Sequence, residues 1–334
     1  MMPTPMMPTP MSRMSSRFAS LDVRAAALLA LAAYLAFDLL LPLVPLPLRP
    51  PPRIVYAGLV FVSTAAFMLL QLWLSQAIVN LKPRAWVGGV LSLAGVALWV
   101  LVLLFLHPYK HLLGGINAAL FILRPILLGL AITLACTFFG ILLSRIVREA
   151  NVLLPVALVA MPIDYLGAMT PIGFTQNAVA NNPALVQALS VPVPAVGSGT
   201  HHHGALHPIG FIGPGDALFM AFFFAVALRL DLNKRGTFWW TYGLLTATML
   251  IVLFTEYNVA ALIPMGLAVL IANFRFFKLK REEVFATVYA AALVLVLVTS
   301  FYLYSHSHFY HSRSQGIADA PPNTLAPRRP APNR

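Results

Sequence analysis

The feature that most constrains this chain is a series of apolar segments, separated by short stretches that hold most of the charged residues. A helix needs roughly 20 mostly apolar residues to cross the hydrocarbon core of a bilayer. We therefore predict an all-α, polytopic membrane protein with about nine transmembrane helices. The nine segments that meet the requirement are 25–45, 54–79, 85–106, 119–144, 151–170, 208–230, 236–256, 258–277 and 284–305.

The composition excludes an ordinary soluble domain. Of the 334 residues, 60% are hydrophobic and only 10% are charged, whereas about 25% of the residues in a soluble domain are charged. The net charge of +12 comes from basic residues between the apolar segments, and no nucleic-acid-binding motif accompanies them. The lipid bilayer is therefore an expected partner, and nucleic acid is not.

The apolar segments define one domain with two tails. Residues 25–305 are predicted to form a single transmembrane helical domain, in which 171–207 connects the fifth and sixth helices. Residues 1–24 repeat Met-Met-Pro-Thr-Pro and then become rich in Ser and Arg, and residues 306–334 are also polar. Such composition buries too little apolar area to fold alone, so both tails are predicted to be disordered.

The distribution of Lys and Arg predicts the orientation in the membrane. The N-terminus and the alternate loops on its side hold 14 of these residues, and the opposite short loops hold three. Because positive residues accumulate on the cytoplasmic side, we expect the N-terminus in the cytoplasm. The connection 171–207 has no Lys or Arg and is expected outside.

Three aspartates fall within apolar segments: Asp38, Asp164 and Asp216. A carboxylate at the bilayer centre costs at least about 2.5 kcal/mol, so each is a functional-site hypothesis. Asp164 lies about 20 Å along the fifth helix, and Asp216 lies early in the sixth, which runs in the opposite direction. The two carboxylates are therefore expected at similar depth, whereas Asp38, which no second motif accompanies, is interpreted as structural.

Glycine and proline near these positions predict an accessible backbone. Gly213 and Gly215 remove side chains, so that a neighbouring helix would approach Asp216 closely. Pro264 has no N–H to donate to the carbonyl of Ala260, which would leave that acceptor free to hold an unwound peptide segment.

Two neighbouring carboxylates in a membrane can perform acid–base chemistry without a cofactor. At a separation of a few Å both cannot ionise at neutral pH, so they share one proton. One then activates water as a general base while the other protonates a substrate carbonyl. No cofactor is therefore expected.

Gly213-Pro214-Gly215-Asp216, followed by Ala217–Met220 and Arg229–Asp231, resembles the Gly-x-Gly-Asp helix of signal peptide peptidases and presenilins, the intramembrane aspartyl proteases. Ile163-Asp164-Tyr165 stands for the Tyr-Asp pair of that family, and Ala260-Ala261-Leu262 for its Pro-Ala-Leu motif. The resemblance implies a presenilin-like bundle that cleaves a membrane-embedded peptide or protein. It implies Asp164 and Asp216 as catalytic residues, with support from Gly213, Gly215, Tyr165, Ala261, Leu262 and Pro264.

The resemblance covers residues 151–277 and has clear departures. Ile163 replaces the Tyr of the first motif, and Ala260 replaces the Pro of the third. One helix is missing before the dyad and one is added after the third motif. These departures bear more on activity than on fold.

Other functions remain open at this point. Prepilin peptidases also use Gly-x-Gly-Asp and two membrane aspartates, but their active site faces the cytoplasm, opposite to the side that the charge count predicts here. A non-proteolytic transporter, channel or inactive scaffold would use the same carboxylates to bind a proton or a cation.

The nine histidines are all expected on the outer side of the membrane. His201, His202, His203 and His207 are the candidates for metal ligands among them. No cysteine or nearby carboxylate completes a ligand set, so we interpret this segment as a solvated loop and expect no metal.

Overall fold

The computed structural model describes residues 10–44, 52–106, 114–169, 188–194, 210–255, 259–278 and 280–318. Over this part of the chain the fold is helical apart from two short strands. The helices are α1 (Pro10–Leu40), α2 (Arg53–Asn80), α3 (Ala85–Phe105), α4 (Gly114–Leu143), α5 (Leu153–Met169), α6 (Pro214–Arg229), α7 (Lys234–Thr255), α8 (Leu262–Asn273) and α9 (Arg281–Ala318). The strands are β1 (Val191–Val193) and β2 (Gly210–Ile212).

Seven of these helices are long and apolar enough to cross a membrane, which supports the predicted helical, multi-pass class. The other two, α6 and α8, have 16 and 12 residues. At 1.5 Å per residue they measure about 24 and 18 Å, less than the ~30 Å hydrocarbon core. The predicted number of nine spanning helices therefore stays a prediction.

The two short helices begin later than their apolar segments do. The segment predicted as a helix over 208–230 contains strand β2, and α6 starts only at Pro214. Gly213 is its extended N-cap residue, and proline is favoured directly after a cap because its missing N–H is not needed there. The segment 258–277 likewise becomes helical only at Leu262.

The terminal helices reach beyond the predicted domain limits. α1 begins at Pro10, inside the predicted tail 1–24, and α9 continues to Ala318, past residue 305. Pro10 is the last proline before an uninterrupted run of helix-compatible residues, so a helix that starts there continues into the apolar segment.

The centre of the bundle is α6. Every residue from Ala217 to Ala227 except Leu218 and Phe219 is buried. α6 packs mainly against α4 and α2, while α5 packs against α8 and α9. α8 contacts α5, α6 and α7, so it links the two helices that carry the predicted dyad.

Glycines allow the backbones of α3, α4 and α6 to touch. A Cβ added to Gly140 of α4 would lie 2.6 Å from the carbonyl oxygen of Leu218 and 2.9 Å from the amide nitrogen of Phe222. A Cβ on Gly95 of α3 would lie 2.8 Å from the amide nitrogen of Ala135. Such distances are shorter than any real Cβ contact, so these two positions accept no side chain without a shift of the helices.

Arg229, the last residue of α6, fastens that helix to the end of α4. Its guanidinium donates hydrogen bonds to the carbonyls of Ser144 and Val147, in the turn that follows α4. Ser144 directly follows the last residue of α4, so Arg229 binds at the end of that helix, where a basic side chain is favourable.

Arg229→Gln is expected to lower the free energy of unfolding by about 1 kcal/mol, because the charged donor to these carbonyls is lost. Thermal unfolding of the purified protein in detergent measures the effect. Arg235→Gln is the matched control, since Arg235 is an exposed basic residue at the start of α7. Equal melting temperatures for both variants would show that the contact does not stabilise the bundle.

Candidate active site

Asp164 lies near the C-terminal end of α5 and binds the start of α8. Its Oδ2 accepts a hydrogen bond of 2.9 Å from the backbone N–H of Leu262. Leu262 is the first residue of α8, and the first N–H groups of a helix have no partner within it. The carboxyl group therefore caps α8 from a different helix, at the end where the helix dipole favours negative charge.

Asp216 is the third residue of α6 and caps its own helix. Its Oδ2 accepts a hydrogen bond of 3.2 Å from the backbone N–H of Gly213. This contact is the half of a capping box in which the side chain of the third helical residue reaches back to the N-cap. Each of the two carboxyl groups is thus held by one oxygen at the amino end of a short helix.

The two carboxyl groups are close enough to interact electrostatically. They lie on helices with different packing partners, because α5 packs against α8 and α9 whereas α6 packs mainly against α4 and α2. α8 contacts both α5 and α6. Within the described residues no hydrogen bond joins the two side chains directly. Asp164 is therefore joined directly to Leu262, and Asp216 lies within electrostatic range of Asp164.

The third motif differs in detail from the expectation. The carbonyl of Ala260 is not free, because it accepts a hydrogen bond of 3.2 Å from the N–H of Ile263. Pro264 is the third residue of α8 and is buried, and proline in a first turn breaks no helical hydrogen bond. The part of this motif that contacts Asp164 is instead Leu262, whose backbone N–H donates a hydrogen bond to the carboxyl group.

The expected role of the two glycines beside Asp216 is also corrected. Among the described residues, a Cβ at Gly215 would meet no atom within 4 Å, and one at Gly213 would meet only the carboxylate of Asp216, at 3.3 Å. Neither glycine mediates a close approach of helices. That role belongs to Gly140 and to Gly266, where a Cβ would lie 2.8 Å from the Met161 side chain of α5.

The residues that flank Asp164 face away from the packed interior. Ile163 is 60% exposed and Tyr165 is 37% exposed. Neither takes part in the hydrogen bond to Leu262. Ile163, which stands where the resemblance implies Tyr, is therefore not among the residues that hold Asp164 in place.

A small sheet, which the sequence analysis did not predict, leads into Asp216. β1 and β2 are antiparallel, with Val191 opposite Ile212 and Val193 opposite Gly210. β1 lies against α4, where a Cβ on Gly129 would come within 3.2 Å of the Pro192 ring. The sheet thus fixes the backbone that immediately precedes Gly213. Its sequence signal is weak, because each strand has only three residues.

The connection before β1 is anchored as well. The indole N–H of Trp99, on α3, donates a hydrogen bond of 2.7 Å to the carbonyl of Ala188, and Val191 and Val193 are buried. The described part of the predicted outer connection 171–207 therefore packs against α3 and α4.

The histidines of the predicted outer side cannot be placed as ligands. His201, His202, His203 and His207 lie outside the described residues, as do His107 and His111. Within the part of the chain that is described, no group of three His, Cys, Asp or Glu side chains is close enough to hold a metal ion.

Comparison with known proteins yields no family model, no curated protein and no solved structure that matches this chain. The resemblance to signal peptide peptidases and presenilins therefore rests on the motif residues alone. It stays a prediction, to be judged by the chemistry of Asp164 and Asp216.

Proposed function

We propose that this protein is an intramembrane aspartyl protease that hydrolyses peptide bonds within transmembrane or signal-anchor segments. One observation carries the proposal: two carboxyl groups on apolar helices lie within electrostatic range of each other, and each is held by a backbone N–H at the start of a short helix. Carboxylates at membrane depth are costly and therefore mark functional positions.

The arrangement suits general acid–base catalysis. Each N–H engages Oδ2, which leaves Oδ1 of each carboxyl group for the reaction. The ionised carboxylate would remove a proton from water while the protonated carboxyl group donates its proton to the oxygen of the scissile carbonyl. The water oxygen would bond to the carbonyl carbon and form a tetrahedral intermediate. The carboxyl group that took the proton from water would pass it to the amine nitrogen as the C–N bond breaks, and the other carboxylate would take back a hydroxyl proton of the intermediate, so the pair would return to its shared-proton state.

β2 offers a way to present the substrate in extended form. A helical peptide bond is shielded by its own turn, whereas a strand added to a sheet edge exposes its carbonyls. Within the described residues β2 pairs with β1 alone, and Phe211 at its centre is exposed. A substrate strand beside β2 would lead directly to Asp216.

Gly215→Leu is expected to leave the fold intact but to lower cleavage by about tenfold or more, because displacement of a substrate by about 1 Å is already costly to the rate. The position next to Asp216 is exposed and open to a substrate. Cleavage of a transmembrane model peptide in liposomes and the melting temperature are measured in parallel.

Gly58→Leu is the control for that substitution, since a Cβ at Gly58 in α2 also meets nothing within 4 Å. It should preserve both the melting temperature and cleavage. Full activity in Gly215→Leu would show that the substrate does not approach over this residue.

The proposal includes an orientation with the N-terminus in the cytoplasm, supported by the 14 Lys and Arg residues on that side against three opposite. Reporter fusions to the connections after α2 and α5 measure this orientation. We expect the reporter after α2 in the cytoplasm and the reporter after α5 outside. Cytoplasmic reporters at both positions would contradict it.

A second function uses the same carboxylates for transport or scaffolding without proteolysis. It is favoured by the absence of a direct hydrogen bond between the Asp164 and Asp216 side chains within the described structure. Protonophore-sensitive flux into liposomes, without peptide cleavage, would support it over the protease.

A further inference from the structure

A column of polar side chains lies in the interior bounded by α1, α2 and α4, apart from the proposed active site. Asp38 is only 4% exposed, and the other members are exposed by 1% or less. The members, which we call the polar column, are Tyr34, Asp38, Gln71, Ser75, Thr133 and Thr137.

The column is ordered along α2 and α4. The hydroxyls of Ser75 and Thr137 are 3.5 Å apart, which fixes these residues at one level. α2 and α4 are separated by one helix and run in the same direction. Gln71 and Thr133 each lie four residues earlier, one turn along the same face. They therefore form the next level of the column.

α1 closes the column from the third side. The ring of Tyr34 lies 5.5 Å from that of Phe67, which is one turn before Gln71. The Tyr34 hydroxyl lies beside the hydroxyl of Thr133 and within electrostatic range of Asp38. Asp38 is one turn further along α1, so the carboxylate lies at one end of the column.

Half of the side-chain oxygen and nitrogen atoms of the column have no partner at normal hydrogen-bond distance. Among the described residues, the hydroxyls of Tyr34 and Thr133 and both amide atoms of Gln71 are buried without a hydrogen bond. An unsatisfied buried polar group costs about 1–3 kcal/mol, and in a native protein a bound water molecule or ion is one explanation for such a group. Three neighbouring side chains with unpaired polar atoms indicate that a water molecule or an ion binds among them.

The chemistry of the column indicates which occupant fits. Its potential ligands are a carboxylate, a phenol, hydroxyls and an amide carbonyl, and oxygen ligands are those that hard cations prefer. Water would satisfy the neutral groups, whereas a cation would also balance the charge of an ionised Asp38 carboxylate. One carboxylate matches one positive charge.

We propose that the polar column binds a single monovalent alkali cation, and specifically Na⁺, coordinated by oxygens of Tyr34, Gln71 and Thr133, with the Asp38 carboxylate at the end of the column as its counter-charge. The smaller ion suits a site whose side chains are almost fully enclosed. The site shares no residue with the proposed dyad, so it stands whether or not the protein is a protease. Bound Na⁺ would hold α1 against α2 and α4.

The test is thermal unfolding of the purified full chain in detergent, titrated with NaCl at constant ionic strength against choline chloride. We expect a saturable rise in melting temperature of about 2–4 °C in the wild type, since an ion that binds only the folded state stabilises it. Asp38→Asn and Gln71→Leu should abolish the rise.

Thr248→Val is the control, because within the described part of the chain the Thr248 hydroxyl bonds only to the Leu244 carbonyl of its own helix; it should keep the full Na⁺ response. Equal melting temperatures in NaCl and choline chloride for the wild type would overturn the proposal, as would an undiminished response in Asp38→Asn. If Asp38→Asn does not fold, the wild-type titration and Thr133→Val decide, and a full response in Thr133→Val would count against the site.

Discussion

Replacement of Asp164 or Asp216 by Asn is expected to abolish cleavage of a transmembrane peptide while leaving the bundle folded. The amide oxygen of Asn still accepts a hydrogen bond, so the N–H groups of Leu262 and Gly213 keep their partner. The amide cannot exchange a proton, however, and loss of a general acid or base lowers rates by about 10²–10⁴-fold. Loss from either position should be equally severe, because the two groups act as one unit.

The measurement is cleavage of a model peptide in liposomes, with the melting temperature as a check on folding. Asp231→Asn is the matched control, since Asp231 is an exposed carboxylate in the turn after α6. The hydrogen bond from Lys234 lowers the pKa of the Asp231 carboxyl, and its loss should alter neither cleavage nor fold. Cleavage at the wild-type rate by both Asp164→Asn and Asp216→Asn would refute the protease.

The long helices of this chain are predictable from sequence because hydropathy and length alone determine them. The apolar segments around α2, α3 and α7 coincide with the observed helices to within a few residues. The short helices are less predictable, because an apolar strand followed by an apolar helix has the same hydropathy as one long helix. At α6 a local signal did exist: Gly213 followed by Pro214 is the pattern of an N-cap and a first helical residue.

The sequence indicates which aspartates form the candidate site, but it does not indicate which residues contact them. Both aspartates could be found, since a carboxylate in an apolar segment is conspicuous. The hydrogen bond between Asp164 and Leu262 spans 98 residues and depends on where α8 begins, which no local pattern reveals. The close-packing role predicted for Gly213 and Gly215 is wrong for a related reason: whether a glycine allows close packing depends on which face of its helix meets a neighbour.

Gly140→Ala is expected to destabilise the protein and to lower cleavage as well. The new Cβ would lie 2.6 Å from the Leu218 carbonyl oxygen of α6, and backbone atoms cannot move aside as a flexible side chain can. Overpacking of this kind costs about 1–3 kcal/mol, against up to about 1 kcal/mol that Ala contributes through helix propensity. The net effect should be a melting temperature lower by a few degrees.

Gly243→Ala is the control, because a Cβ at Gly243 in α7 meets nothing within 4 Å and should raise stability slightly or leave it unchanged. Asp216 lies two residues before Leu218, so any displacement of α6 from α4 also displaces the carboxylate. Cleavage by Gly140→Ala should therefore fall even at temperatures where the variant remains folded. A variant that loses stability but keeps full activity would mean that α4 supports the bundle without positioning Asp216.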